Sequence, residues 1–292
     1  MDKIIFGDNQ FFGINHMSEE KAQAQAERFG DTNAIVKVIE IAYDSGINAF
    51  MFSTHDKVRQ ICDYFRANSH RYADLTLYPA VPYPHKYADA VADKGIVGAL
   101  RDTIFSGSSA KEIVSNIGRG GTAIISRDMM KAMRLLIDVE MKMFRNLNVR
   151  VVFLQNIVTD LLLGLGLRKV FLEFVYYIKQ RYSPAEAGFI TMNLPALVDF
   201  LLECGIDNPI VCSSINKIGY FMNPDKGSCE ETIRTKRFRP IAMSILASGA
   251  VAPEEAVEYV VGQKNIKSII FGASSKAHIT QTIELIQQLF RA

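Results

Sequence analysis

The stretch RPIAMSILASGAVAPEEAVEYVVGQKNIKSIIFGASSKAHITQTIELI, residues 239–286, decides how the chain is read. It opens on a short apolar run, Pro240–Ser244, passes small residues at Ala247-Ser248-Gly249, and enters a helix at Pro253. Proline suits the first helical position because the N–H it lacks would have no partner there. Glu254 and Glu255 then complement the positive end of the helix dipole. A second apolar run, Lys267–Phe271, leads through Gly272-Ala273-Ser274-Ser275 into a last helix with Ile279, Ile283, Ile286 and Phe290 on one stripe. Strand, loop, helix, repeated in this order, is the building unit of a parallel sheet.

The same alternation runs back to the start of the chain. Apolar, β-rich runs predict strands at Lys3–Gly7, Ala49–Ser53, Leu75–Val81, Arg150–Gln155, Gly188–Met192 and Pro209–Ser213, which with the two above make eight. These runs are almost continuously apolar, as expected for strands covered on both faces. A helix over Asn33–Ser45 carries Ile35, Val38, Ile39 and Ala42 at helical spacing, follows an Asp31-Thr32-Asn33 cap and stops at Gly46. A helix over Leu197–Cys204 stops at Gly205, and Ser228 with Glu231 has the spacing of a capping box. Eight such units in 292 residues predict an α/β fold, a single (β/α)8 TIM barrel spanning 1–292 as one domain. An open, doubly wound sheet would need fewer strands or a second domain.

Two segments exceed a minimal barrel. Met17–Thr32 adds a charged helical stretch after the first strand. Residues 85–148 form a helical insertion between strands three and four, expected to hold three helices broken at Gly107-Ser108-Ser109 and Gly118-Arg119-Gly120-Gly121. An insertion at that place either covers the barrel mouth as a lid or packs beside the barrel.

With 49% apolar and 22% charged residues and a net charge of +2, the chain is too apolar for disorder. Its charge is too balanced for a nucleic-acid-binding surface. Cys62, Cys204, Cys212 and Cys229 are far apart and form no ligand pattern, which predicts reduced thiols. The N-terminal residues lack a signal-peptide pattern. The greasiest stretch, Ile157–Ile178, contains Asp160, Arg168, Lys169 and Glu173, so it reads as a helix of a soluble protein. A cytoplasmic location is the expectation, with no membrane and no nucleic-acid partner; nothing in the pattern sets the oligomeric state.

Barrel sites are built from loops leaving the C-terminal strand ends. Those ends present Asp8-Asn9, His16, His55-Asp56, Tyr83 and His85, then Asn156, Asn193 and Ser244, then Ser248-Gly249 and Gly272, Ser274 and Ser275. Imidazole titrates near neutrality and a neighbouring carboxylate can raise its basicity, so Asp8, His16, His55, Asp56 and His85 are the candidate catalytic groups. The small-residue loops at Ser248-Gly249 and Gly272–Ser275 each precede a helix, and open backbone N–H groups at a helix start favour an anion. Asn9, Tyr83, Asn156, Asn193 and Ser244 complete the candidate ligand-binding set. The plainer reading of each is a turn former or a cap. No HxH or HExxH pattern, Walker loop, GxSxG elbow or GxGxxG after a strand is present, and no metal is expected.

The segment quoted first also resembles the aldo-keto reductase superfamily, with Ser244, Leu246 and Gly249 at the family's strand-seven positions and Gly272, Ser274 and Ser275 in its cofactor-phosphate loop. GFITMNLPALVDFLLECGI is similar to a further family segment, Asn193 matching its asparagine, and AIVKVIEIAYDSGINAFMFST resembles the region of its strand two. The resemblance implies a barrel that reduces carbonyls with NADPH through an Asp, Tyr, Lys and His tetrad. This chain places Met51 at the Asp position, Asp56 near the Tyr position, Pro82 or Tyr83 at the Lys position and Asn156 at the His position. The tetrad is therefore not retained, whereas two of the cofactor-contact segments persist.

Three functions remain open from sequence. The first is an enzyme using acid–base chemistry on a small anionic or phosphorylated ligand at the barrel mouth. The second is an NADP(H)-dependent carbonyl oxidoreductase with a rearranged site, and the third a non-catalytic small-molecule-binding barrel.

Overall fold

The computed structural model describes residues 1–14, 18–83 and 127–289. Eight strands, β1 Ile4–Phe6, β2 Ala49–Ser53, β3 Thr76–Val81, β4 Val151–Leu154, β5 Glu186–Thr191, β6 Ile210–Ser214, β7 Arg239–Met243 and β8 Ser268–Phe271, pair in sequence order as one closed, parallel barrel. The expected strands are all present, within two residues at their ends. The last strand returns to the first through Ile4–Ile269, Ile5–Ile270 and Phe6–Phe271.

Alternation along each strand divides the core into two layers. Ile5, Met51, Tyr78, Phe153, Ile190, Cys212, Ile241 and Ile270 fill the barrel interior. Their neighbours Phe6, Phe50, Phe52, Leu77, Val152, Phe189, Val211, Ala242 and Ile269 face the surrounding helices. One glycine follows from this packing: a Cβ on Gly188 would lie 2.5 Å from the Phe153 ring. At the end of the barrel opposite its mouth, the Tyr78 hydroxyl pairs with the Asp2 carboxylate, which Arg150 also approaches at 3.4 Å.

Among the described residues ten helices surround the barrel: α1 Glu19–Arg28, α2 Thr32–Asp44, α3 Asp56–Ala67, α4 Arg127–Met141, α5 Asn156–Gly164, α6 Arg168–Arg181, α7 Leu194–Glu203, α8 Lys226–Thr235, α9 Pro253–Gly262 and α10 Lys276–Leu289. The α2 cap is Asp31, whose carboxylate accepts from the Asn33 amide, and Ile35, Val38, Ile39 and Ala42 are buried as their spacing implied. Pro253 opens α9 as expected.

Three expectations need correction. Ile157–Ile178 is not one helix: α5 stops at Gly164, Gly166 takes φ 64°, and α6 starts at Arg168. No helix among the described residues is long and apolar enough to cross a membrane. The capping box at Ser228 and Glu231 does not form, because Asp225 caps α8 by accepting from both the amide and hydroxyl of Ser228. The helix over Leu197–Cys204 begins earlier, at Leu194, behind an Asn193 cap.

Of the insertion between β3 and β4, the described part is α4 and the short turn Lys142–Phe144, both packed on the barrel flank. Residues 84–126, with His85, and residues 15–17, with His16, lie outside the described residues.

Candidate functional site at the barrel mouth

Asp8 follows β1 and turns inward, only 5% exposed. Its Oδ2 accepts a hydrogen bond of 2.6 Å from the backbone N–H of Ser53, the last residue of β2. A carboxylate taken out of water resists ionisation. Burial therefore pushes the Asp8 carboxyl up to about 6, with the Ser53 amide and hydroxyl recovering part of the shift. A group with this value can exchange a proton near neutrality, which is the requirement for general acid–base work.

Around Asp8 stand residues of the next two strand ends. Thr54 is fully buried and its Oγ1 accepts from the Tyr83 amide at 3.1 Å. Burial, and in smaller part the Asp8 carboxyl, pushes the Tyr83 phenol up to about 12. Of these two groups Asp8 is accordingly the one that titrates near neutral pH. His55 stacks on Phe12 with ring centroids 4.2 Å apart, and Tyr83 approaches it edge-on at 5.3 Å. The Nδ1 of His55 accepts from the Lys57 amide at the start of α3, so this nitrogen serves as a helix cap. Asp56 is exposed on the first turn of α3, and Asn9 is exposed in the 3₁₀ turn Asn9–Phe12.

The opposite wall is organised by hydrogen bonds to a half-buried carboxyl. Asp160 of α5 accepts from the Thr191 hydroxyl and, at 2.9 Å, from the Met192 amide; burial raises its carboxyl above the usual range. Asn193 caps α7, its side chain accepting from the Ala196 amide at 3.4 Å. Asn156 is the first residue of α5 and is half-buried. The inward parity of Ile210 and Cys212 continues to Ser214, which pairs in register with Met243. The Ser214 hydroxyl is fully buried without a partner among the described residues.

The loop after β7 is conformationally unusual. Ser244, Ala247 and Ser248 all take left-handed backbone, with φ of 55°, 45° and 56°, followed by Gly249 at 91°. Left-handed backbone costs an L-residue roughly 1–2 kcal/mol, and such strain gathers where a ligand is held. A Cβ on Gly249 would meet nothing within 4 Å, so the space beside it is open.

The loop after β8 is different. Gln10 lies over Gly272, where an added Cβ would fall 2.1 Å from its Oε1, and the same side chain donates to the Gly7 carbonyl at 2.8 Å. Beyond it, Arg28 at the end of α1 donates to the Ser274 carbonyl at 2.6 Å and to its hydroxyl at 3.3 Å. The Ser275 hydroxyl accepts from the His278 amide at the start of α10. Arg28 was not anticipated: it lies on a helix with no buried residue, which reads in sequence as a solvated face.

The mouth thus brings together Asp8, His55 and Tyr83 on one side and Ser274, Ser275 and Arg28 at the seam between β1 and β8. Among the described residues no three His, Cys, Asp or Glu side chains gather as metal ligands. The four cysteines are free.

No family model matches the sequence, and no curated relative does. Solved structures do match. A protein of Pseudomonas aeruginosa assigned to the aldo-keto reductases superposes with a TM-score of 0.62 at 12% identity, over 99% of this chain and 90% of that one. An aldo-keto reductase of the silkworm Bombyx mori gives 0.56 at 10% identity, over 100% and 84% of the two chains. An aldo-keto reductase from a deep-sea metagenome gives 0.53 at 8% identity, over 100% and 89%. At such identities the likeness is one of architecture: this chain is built on the barrel fold of the aldo-keto reductases.

Proposed function

We propose that this chain is an NADP(H)-dependent carbonyl oxidoreductase in which Asp8 takes over the proton transfer. The observation that carries the reading is a buried carboxyl at the barrel mouth, held up to about 6 by burial. The scaffold supports it, because the matched structures named above are aldo-keto reductases.

The residues present fit the phosphate-bearing end of such a cofactor. The open space beside Gly249 would admit a pyrophosphate, although the Ala247, Gly249, Ala250 and Val251 amides already donate to main-chain carbonyls of the loop. Arg28, with the Ser274 and Ser275 hydroxyls and the start of α10, would hold a further phosphate. The bound cofactor supplies the hydride. This chain's own part is to place the carbonyl and move the proton. Protonated Asp8 donates to the carbonyl oxygen in reduction, and ionised Asp8 accepts the alcohol proton in oxidation. Its hydrogen bond to the Ser53 amide fixes the carboxyl in place for either direction. The Tyr83 phenol, pushed up to about 12, serves as a neutral hydrogen-bond donor and not as the acid.

A second reading, proton transfer without redox on a small phosphorylated ligand, is favoured by one feature: in the sequence resemblance Met51, Asp56, Pro82 or Tyr83, and Asn156 fall at or near the positions of the family's tetrad. Calorimetric titration with NADPH, NADH and inorganic phosphate separates the two. NADPH binding in the micromolar range, tighter than NADH, leads to assays with aldehydes and ketones. Phosphate binding without NADPH binding leaves the non-redox reading, and binding of neither removes both.

A further inference from the structure

On the face opposite the mouth, a cavity of about 780 Å³ lies where the chain enters β4 and β5. Its accessible apolar lining is Leu147, Val149 and Pro184, with Met141 and Phe144 buried beneath them. Its charged lining is Lys142, Arg145 and Arg181 against one carboxylate, Asp138. That carboxylate is already engaged: it accepts from the Tyr182 hydroxyl at 2.5 Å and lies 3.9 Å from Arg181. Lys142 and Arg145 form no ion pair with any described carboxylate, so the cavity keeps an excess of positive charge.

The walls are built rather than loose. Arg66 reaches in from α3 and donates to the Met143 and Arg145 carbonyls at 2.9 and 3.0 Å, fixing the turn that presents Lys142 and Arg145. The Leu147 amide closes the same turn on the Phe144 carbonyl at 3.1 Å. Asn148 donates to the Thr76 hydroxyl at 3.4 Å. A half-open cleft of several hundred cubic ångströms, part apolar and part polar, has the size of a small-molecule site.

We infer that this cavity is a second binding site, distinct from the mouth, for a small aromatic anion: a flat apolar body against Leu147, Val149 and Pro184, and a carboxylate or phosphate between Lys142 and Arg145. Size argues for a small molecule over a macromolecular partner, and the two cations that have no carboxylate partner among the described residues choose the sign of its charge. The inference does not depend on the function proposed for the mouth.

The test uses the full chain labelled at its methionine methyl groups, of which there are 11. Met141 reports on this cavity and Met243, against the barrel interior, on the other end; Met→Leu variants assign both. Titration with 1-naphthyl phosphate and with 1-naphthoate is expected to shift the Met141 methyl saturably, with inorganic phosphate at least tenfold weaker. Arg145→Glu and, separately, Lys142→Glu are expected to weaken the aromatic probes tenfold or more. Both side chains are exposed, and unchanged thermal unfolding is expected for both variants. An unmoved Met141 methyl, equal affinity in both variants, or inorganic phosphate binding as tightly as the aromatic probes would each overturn the proposal.

Discussion

The Asp8 carboxylate reaches across from β1 to the main chain of Ser53 at the end of β2, a 2.6 Å contact between residues 45 positions apart. Its acceptor role needs only an oxygen, whereas its proton chemistry needs the acid. Asp8→Asn separates the two, since the amide oxygen still accepts from the Ser53 N–H. Activity of the proposed kind is expected to fall about 10²–10⁴-fold in the variant. Full activity would remove Asp8 from the mechanism and leave the proton transfer to another group at the mouth.

The same residue predicts a stability profile with a definite sign. The folded carboxyl titrates near 6 and the unfolded one at 3.8, so the folded state holds more protons between these values. The contribution of Asp8 to stability is therefore fully present below about pH 4, declines as pH rises through 6, and is lost above it, by up to about 3 kcal/mol. Asp74, Glu186 and Asp225, whose carboxyls are held low, contribute in the opposite sense as pH falls. Asp8→Asn should flatten this decline and be more stable than the parent at pH 7.5. Denaturant titrations from pH 4 to 8 measure it, and a variant less stable at pH 7.5 would make the carboxylate a structural asset instead.

Arg28 contacts both the carbonyl and the hydroxyl of Ser274. If it receives a phosphate, Arg28→Ala should raise the dissociation constant for NADPH roughly 10- to 100-fold, as expected for loss of a charge-assisted hydrogen bond. NADH binding should hardly change. An equal loss for both cofactors would mean that Arg28 positions the loop and does not touch the phosphate.

At Gly272 the side chain of Gln10 occupies the space a Cβ would need. Gly272→Ala is expected to cost about 1–3 kcal/mol by overpacking. Combining it with Gln10→Ala should restore most of that loss, a coupling that a double-mutant cycle reads directly.

Ser248 holds φ 56° without being glycine. Ser248→Gly is expected to raise stability by roughly 0.5–1 kcal/mol, since the left-handed penalty exceeds the added chain entropy. Weaker NADPH binding alongside this gain would mark the strain as serving the ligand.

The strands were legible because each is an almost continuous apolar run, with polar residues only near its ends, as a strand covered on both faces should look. The Asp31 cap and Pro253 were legible because capping is local. Where two caps compete, locality misleads: Asp225, three residues earlier, outbids Ser228 because a charged acceptor serves the free amides better. Asp8 was legible as a strand-end acid, but its partner at 2.6 Å is the main-chain N–H of Ser53, which every residue except proline would provide. Arg28 was hidden by its surroundings, a helix with no buried face that meets Ser274 only through the closure of the barrel. For the same reason nothing local marks Gln10 as the side chain that fills the space over Gly272.

Both of those contacts lie on the seam where β8 meets β1, and Arg28 and Ser274 are 246 residues apart. Loop closure over such a separation is among the costliest in the chain, so this seam is expected to form late in folding. The Asp8 loop and the serine loop are joined there by Gln10 and Arg28. Assembly of this side of the mouth and barrel closure are then one event: a chain arrested before its last strand docks would have most of its helices and neither the Arg28–Ser274 nor the Gln10–Gly272 contact.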